Sequence, residues 1–152
     1  VEDALRELLD RQAIADLVHD YCLHFDANRP EAVAALFTAD AEVGYGPEMP
    51  TIHGAADLQA TIAVGLRERF SATSHHVSNL RIDFDGPDRA DGIAYLYAWH
   101  AYRDGSPDGE LWGRYRHRFV RTTDGWRIAG LLLQAAGARH FHRSVMHPVE
   151  RE

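Results

Sequence analysis

The run HHVSNLRIDFDGPDRADGIAYLYAWHAYRDGSPDGELWGRYRHRFVRTTDGWRIAGLLLQ, residues 75–134, decides the fold. Four stretches rich in β-branched and aromatic residues, His75–Phe84, Ala90–Tyr102, Glu110–Arg121 and Trp126–Gln134, are separated by Asp-Gly-Pro, Asp-Gly-Ser-Pro-Asp-Gly and Thr-Asp-Gly turns. Asp-Gly between such runs is a hairpin signal, so a meander of antiparallel strands is predicted. Upstream the period changes. Ile14, Leu17, Val18, Tyr21 and Phe25 recur at helical spacing and predict one long amphipathic helix from Glu2 to Phe25. Asn28 and Pro30 mark the start of a second, short helix through Phe37, with Thr38 to Asp40 as a polar exit. Glu42–Tyr45 and Thr51–His53 read as short strands, and Leu58, Ile62, Leu66 and Phe70 as a third helix. Helices first and strands last predict an α+β fold, three helices on one face of a strongly bent sheet, closing over a pocket. The chain is expected to be one domain over 1–152. Its tail from Ala135, carrying His140, Phe141 and His142, either extends the last strand or crosses to a neighbouring subunit.

Composition narrows the function. A chain of 152 residues with a formal charge of −7, from 23 acidic against 16 basic residues, lacks the basic excess of a nucleic-acid surface. No stretch approaches the ~20 apolar residues of a membrane helix. The single cysteine, Cys22, forms no internal disulfide, and no leader pattern opens the sequence, so a cytoplasmic setting is the expectation. The ten histidines are scattered rather than set in a metal-ligand pattern, so neither metal nor cofactor is called for, and a small hydrophobic molecule is the expected partner.

Four positions could carry chemistry. Asp26 continues the inward stripe of Ala15, Val18 and Cys22, where a carboxylate must be paired or protonated; otherwise it caps the helix end. Of His75 and His76, alternation along a strand lets only one face inward. Parity with Leu80, Ile82 and Phe84 favours His76, and a bulge near Ser78 would reverse the choice. His100 shares a face with Ala94, Leu96 and Ala98, small residues that suggest a hollow; a hydrogen-bonded core or interface histidine is the competing reading. Tyr115, His117 and Phe119 share one face of their strand, while Arg114, Arg116 and Arg118 occupy the other as a solvated or interface surface. Asp124 to Ile128 reads as a structural turn with an aromatic anchor.

The segments RQAIADLVHDYCLHFD, ALFTADAEV, HHVSNLRIDF and DGWRI, in this order, resemble the SnoaL-like family of the nuclear transport factor 2 superfamily, which includes the scytalone dehydratases and hexachlorocyclohexane dehydrochlorinases. The resemblance covers nearly the whole chain. It implies a cone of curved sheet with helices lining a mostly apolar cavity. It also implies an aspartate at the end of the first helix, matching Asp26, and a histidine ahead of Asn-Leu-Arg, which selects His75 over His76. A second histidine of the family's dehydratases matches His100, and a pocket tyrosine matches Tyr45. The expected set is therefore Asp26, His75 and His100 for catalysis, with Tyr45, Tyr21, Phe25 and Tyr115 as substrate-binding walls.

Departures accompany the matches. Phe25 stands where the dehydratases carry a tyrosine, and their pocket asparagine has no counterpart among Arg114 to Arg118. Leu131 replaces the arginine of the dehydrochlorinases, and their lysine falls near Tyr21. The resemblance thus implies a cofactor-independent lyase, dehydratase-like, or an isomerase acting by Asp-His acid–base catalysis on a small cyclic or aromatic substrate, with a substrate of its own. Three other readings stand beside it: a non-catalytic binding protein, a steroid-isomerase-like site in which the aspartate alone moves the proton, and the small structural subunit of a ring-hydroxylating dioxygenase. Family members assemble as dimers or trimers through the outer sheet face, where Tyr95, Tyr97 and Trp99 fall.

Overall fold

The structure, a computed structural model, describes residues 1–152. Helix α1 spans Glu2–Asp26 and buries Ile14, Leu17, Val18, Tyr21, Cys22 and Phe25, the stripe its sequence dictates. Glu2 and Asp3 in its first turn and His24 in its last complement the helix dipole. Helix α2, Pro30–Ala34, begins on its proline, and α3 spans Ala55–Glu68. The strands are β1 (Phe37–Gly44), β2 (Ile52–His53), β3 (Phe70–Phe84), β4 (Arg89–Tyr102), β5 (Gly109–Thr122), β6 (Gly125–Arg139) and β7 (His147–Pro148).

They form one sheet in the order β2-β1-β6-β5-β4-β3, with β7 also on β6. The meander from β3 to β6 is antiparallel, whereas β1 and β7 run parallel to β6, so the sheet is mixed. The α+β expectation, three helices against a curled sheet, agrees with this architecture.

Boundaries differ where an aromatic residue was read into a helix. The second helix stops at Ala34 rather than Phe37, because Phe37 is buried as the first residue of β1, opposite Ile128. Thr38 to Asp40, read as a polar exit, instead lie in β1, where the pairing register shifts between Phe37 and Glu42. Phe70 likewise does not end α3 but opens β3 opposite Tyr102, so that strand starts five residues before His75. The tail extends β6 to Arg139, then folds back against its own sheet, where β7 takes up the edge of β6 at Gln134 and Ala135.

One core runs between helices and sheet, from Ile14 and Val18 of α1 and Leu58 and Ile62 of α3 to Phe119, Ile128 and Leu131 on the strands. Asp10 secures α1 to the strand side. Its carboxylate accepts from Arg121 Nη1 and Nη2 (3.0 and 2.7 Å) and from Trp126 Nε1 (2.9 Å), which gives the Asp124–Ile128 run its structural anchor. The arginines of β5 point outward as expected: Arg118 pairs with Glu42 at 3.0 Å, and Arg114 lies over the Tyr95 ring.

Candidate active site

The last turn of α1 packs against β3, and the site is built where the two meet. Asp26 is the final residue of α1, and three donors converge on its carboxylate. Thr73 Oγ1 donates to Oδ1 at 2.8 Å, the backbone N–H of His75 to Oδ2 at 2.8 Å, and His75 Nδ1 to Oδ1 at 2.7 Å. Burial acts to raise the Asp26 pKa, but the hydrogen bonds and charge of His75, with Thr73, outweigh it, and the net direction is down. An ionised carboxylate only accepts, so Nδ1 of His75 carries a proton, and in the neutral imidazole the lone pair is left on Nε2.

His75 faces inward because β3 is bulged. Its partner across the strand pair is Ala98 and that of Val77 is Leu96, both buried. The register then shifts between Ser78 and Arg81, around Asn79 at φ 52, and beyond the shift Ile82 and Phe84 take the same face. An extra residue reverses the alternation. Parity counted back from Leu80 therefore selects the wrong histidine. The His76 ring lies beside Tyr97, with Nε2 hydrogen-bonded to Ser74 Oγ at 2.8 Å, while the His75 side chain is only 5% exposed.

His75 lines a cavity of about 550 Å³, its mouth included, walled mainly by apolar side chains. Phe25 packs on the His75 ring at 4.8 Å, and His100 meets the same ring edge-on at 5.4 Å. Tyr21 and Tyr45 share a 2.7 Å hydroxyl–hydroxyl bond, and Tyr115 packs edge-on against Tyr21 at 5.5 Å. Of the seven residues singled out in the sequence, these six line the cavity. Asp26 stands behind His75 and does not line it, so any effect it has on a ligand passes through the imidazole.

Several walls carry no strong sequence signal. Thr61, Ile62 and Gly65 come from α3, and Phe141, His142 and Arg143 from the returning tail. In the sequence, His140, Phe141 and His142 read only as a tail that extends the last strand or crosses to a neighbouring subunit, and no period there places them at a cavity. Thr73 went unnoticed because β3 was expected to start after it.

The electrostatics separate the histidines. Burial, with the nearby His75 and Arg143, lowers His100 to about 3, and burial with Arg143 lowers His142 to about 2. Both are therefore neutral imidazoles near pH 7. The Nδ1 atom of His100 is buried with no protein partner. Burial pushes the Tyr45 hydroxyl up to about 12 and those of Tyr21 and Tyr115 well above the usual phenol range, so all three remain O–H groups. No three His, Cys, Asp or Glu side chains gather in a metal-holding arrangement.

Comparison with known proteins bears on the fold and the family. A candidate scytalone dehydratase from Novosphingobium aromaticivorans, known from its crystal structure, is 32% identical, superposes with a TM-score of 0.91, and is matched over 98% of this chain and 99% of its own. Hexachlorocyclohexane dehydrochlorinase 1 of Sphingobium indicum is 27% identical over 134 residues, 84% of this chain and 82% of that protein. The LinA-type3 dehydrochlorinase of Novosphingobium barchaimii, at 21% identity, TM-score 0.82 and coverage of 97% and 99%, shares the fold. No helix is long and apolar enough to cross a membrane. The family model for the SnoaL-like domain matches residues 6–131, and the chain belongs to that family.

Proposed function

We propose that this protein is a cofactor-independent lyase, dehydratase-like, or an isomerase, acting on a small hydrophobic cyclic or aromatic substrate with an acidic C–H beside a carbonyl. The observation that carries the reading is the Asp26–His75 pair: a tautomer fixed by a half-buried carboxylate, with the imidazole lining an apolar cavity. Relatives named for loss of water or of hydrogen chloride support the same class. Nε2 of His75 removes the C–H proton, and the electron pair moves onto the carbonyl oxygen as an enolate. His100, neutral and without a partner on Nδ1, and the Tyr45 hydroxyl are the polar groups available to that oxygen. Collapse of the enolate then expels a leaving group that takes the proton from His75, or returns the proton to a different carbon.

Asp26 as the sole base is disfavoured, since both its oxygens are engaged and neither lines the cavity. The test is exchange of substrate C–H for deuterium in heavy water, followed by NMR over a panel of cyclic and aryl ketones and β-hydroxyketones. Wild-type protein is expected to exchange at least one member, and His75→Ala to lose about 10²- to 10⁴-fold, the usual contribution of a positioned base. Equal exchange by the variant would remove His75 from the mechanism, and no exchange anywhere would overturn the substrate class.

Assembly into a dimer or trimer through the outer faces of β4 and β5 belongs to the same reading, because Tyr95 and Trp112 are 43% and 41% exposed there. Light scattering should give a multiple of the chain mass, and Trp112→Glu should lower it; a monomeric wild type would refute the assembly.

A further inference from the structure

Arg143 brings a guanidinium with no direct ion pair into a mostly apolar cavity. The returning tail places it there: the backbone N–H groups of Ser144 and Val145 donate to the Glu48 carboxylate at 3.2 Å each, and the Ser144 hydroxyl donates to it as well. The nearby carboxylate is thus latched to the tail's backbone and pairs with no arginine side chain. Arg143 itself forms no carboxylate ion pair. Its one protein hydrogen bond runs from Nη1 to the Tyr45 carbonyl at 3.3 Å, and the guanidinium lies over the rings of Tyr45 and Phe141, at 5.4 and 5.9 Å. A guanidinium offers five N–H donors, so most remain unspent. Burial lowers its pKa, as expected of a charge with no carboxylate in direct contact, although Glu48 lies near enough to feel it.

Its neighbours fit the same ligand. In the Tyr21–Tyr45 pair one hydroxyl donates to the other, which keeps its own proton to give. His100 and His142 are neutral and do not compete as cations.

We propose that Arg143 is the anion-recognition residue of this cavity, and that the ligand is a ring compound bearing an acidic oxygen, a phenol or stable enol, bound as its oxyanion by Arg143 and a tyrosine hydroxyl. The proposal rests on this cavity being the ligand site but not on His75 acting as a base.

The probe is 4-nitrophenol, whose phenolate has its own visible absorption band, titrated with protein slightly below the pH at which the free probe ionises. Wild type is expected to raise the phenolate band. Arg143→Met, of comparable reach and apolar, should lose the band and weaken binding about ten- to a hundredfold, the range of a charge-assisted hydrogen bond. Nitrobenzene, the same ring without the acidic oxygen, should bind both proteins equally, which also reports that the cavity is intact. Binding of the probe as neutral phenol, no binding to wild type, or unchanged binding by Arg143→Met would each overturn the proposal. Because the readout is binding, it can succeed while deuterium exchange by His75 fails, or the reverse.

Discussion

At the carboxylate of Asp26, three donors meet two oxygens, so the isosteric amide of Asp26→Asn must turn its own N–H₂ toward at least one of them. The surviving bonds would no longer force the proton onto Nδ1 of His75, and the nitrogen facing the cavity would lose its lone pair for part of the time. Turnover should fall by about 10² or more, with kcat carrying the loss and KM nearly unchanged. Thr73→Val removes only one donor of the three and should cost roughly tenfold, at a neutral hydrogen bond's worth. If Asp26→Asn matched wild type in kcat, the carboxylate would be a helix cap and nothing more. That competing reading was reasonable from sequence, because Asp26 ends α1, and periodicity could locate the residue but not the donors that reach it. Arg143 was beyond such reading, since its role depends on where the tail folds back rather than on any pattern around it.

Among the elements, β3 shows what alternation can and cannot decide. Inward residues before the bulge are Thr73, His75 and Val77, and after it Ile82 and Phe84, so the phase changes within one strand. A trace of this was in the sequence: from Val77 to Leu80 the apolar interval is three, against two from Leu80 to Ile82 and from Ile82 to Phe84. Asn79 absorbs the change at φ 52, a left-handed conformation that asparagine tolerates and β-branched residues do not. Asn79→Val should therefore destabilise the fold by about 1–3 kcal/mol, while Asn79→Gly should be close to neutral, both measured by urea denaturation. A neutral valine would mean that the bulge is not held by this residue. The antiparallel hairpins were legible because each ends on an Asp-Gly or related turn, as at Gly125 with φ 95. The parallel insertion of β1 beside β6 was not, since short strands carry no signal for a partner some ninety positions away.

For the molecule as a whole, the buried His100 and His117 and the half-buried His142 make stability depend on pH. His100 and His117 fall to about 3 and His142 to about 2, chiefly through burial, whereas the unfolded chain holds them near the ordinary value of 6.5. Between about pH 3 and 6.5 the unfolded state thus binds more protons than the folded one, and stability rises with pH across that window. Asp26, whose folded pKa is also lowered, acts in the same direction: its stabilisation is present above the ordinary carboxylate value and lost as pH falls through the lowered one. His100 and His142 touch each other and the cavity, so their contributions mix with ligand binding. His117 stands apart as the cleaner probe, stacked on Phe119 at 5.1 Å and 18°, with its Nδ1 buried and without a partner. His117→Phe keeps an aromatic ring in that stack and removes the titrating group. The unfolding free energy of wild type, from urea denaturation at several pH values between 7 and 5, should decline as the solution is acidified. The His117→Phe curve should be flatter by up to about 1.4 kcal/mol per pH unit once the pH is well below 6.5, the linkage slope of one proton. The variant's absolute stability depends on the fit of the new ring, but the slope depends only on the proton count. Parallel curves would mean that His117 takes up its proton while folded, and would place the pH sensitivity at the cavity histidines instead.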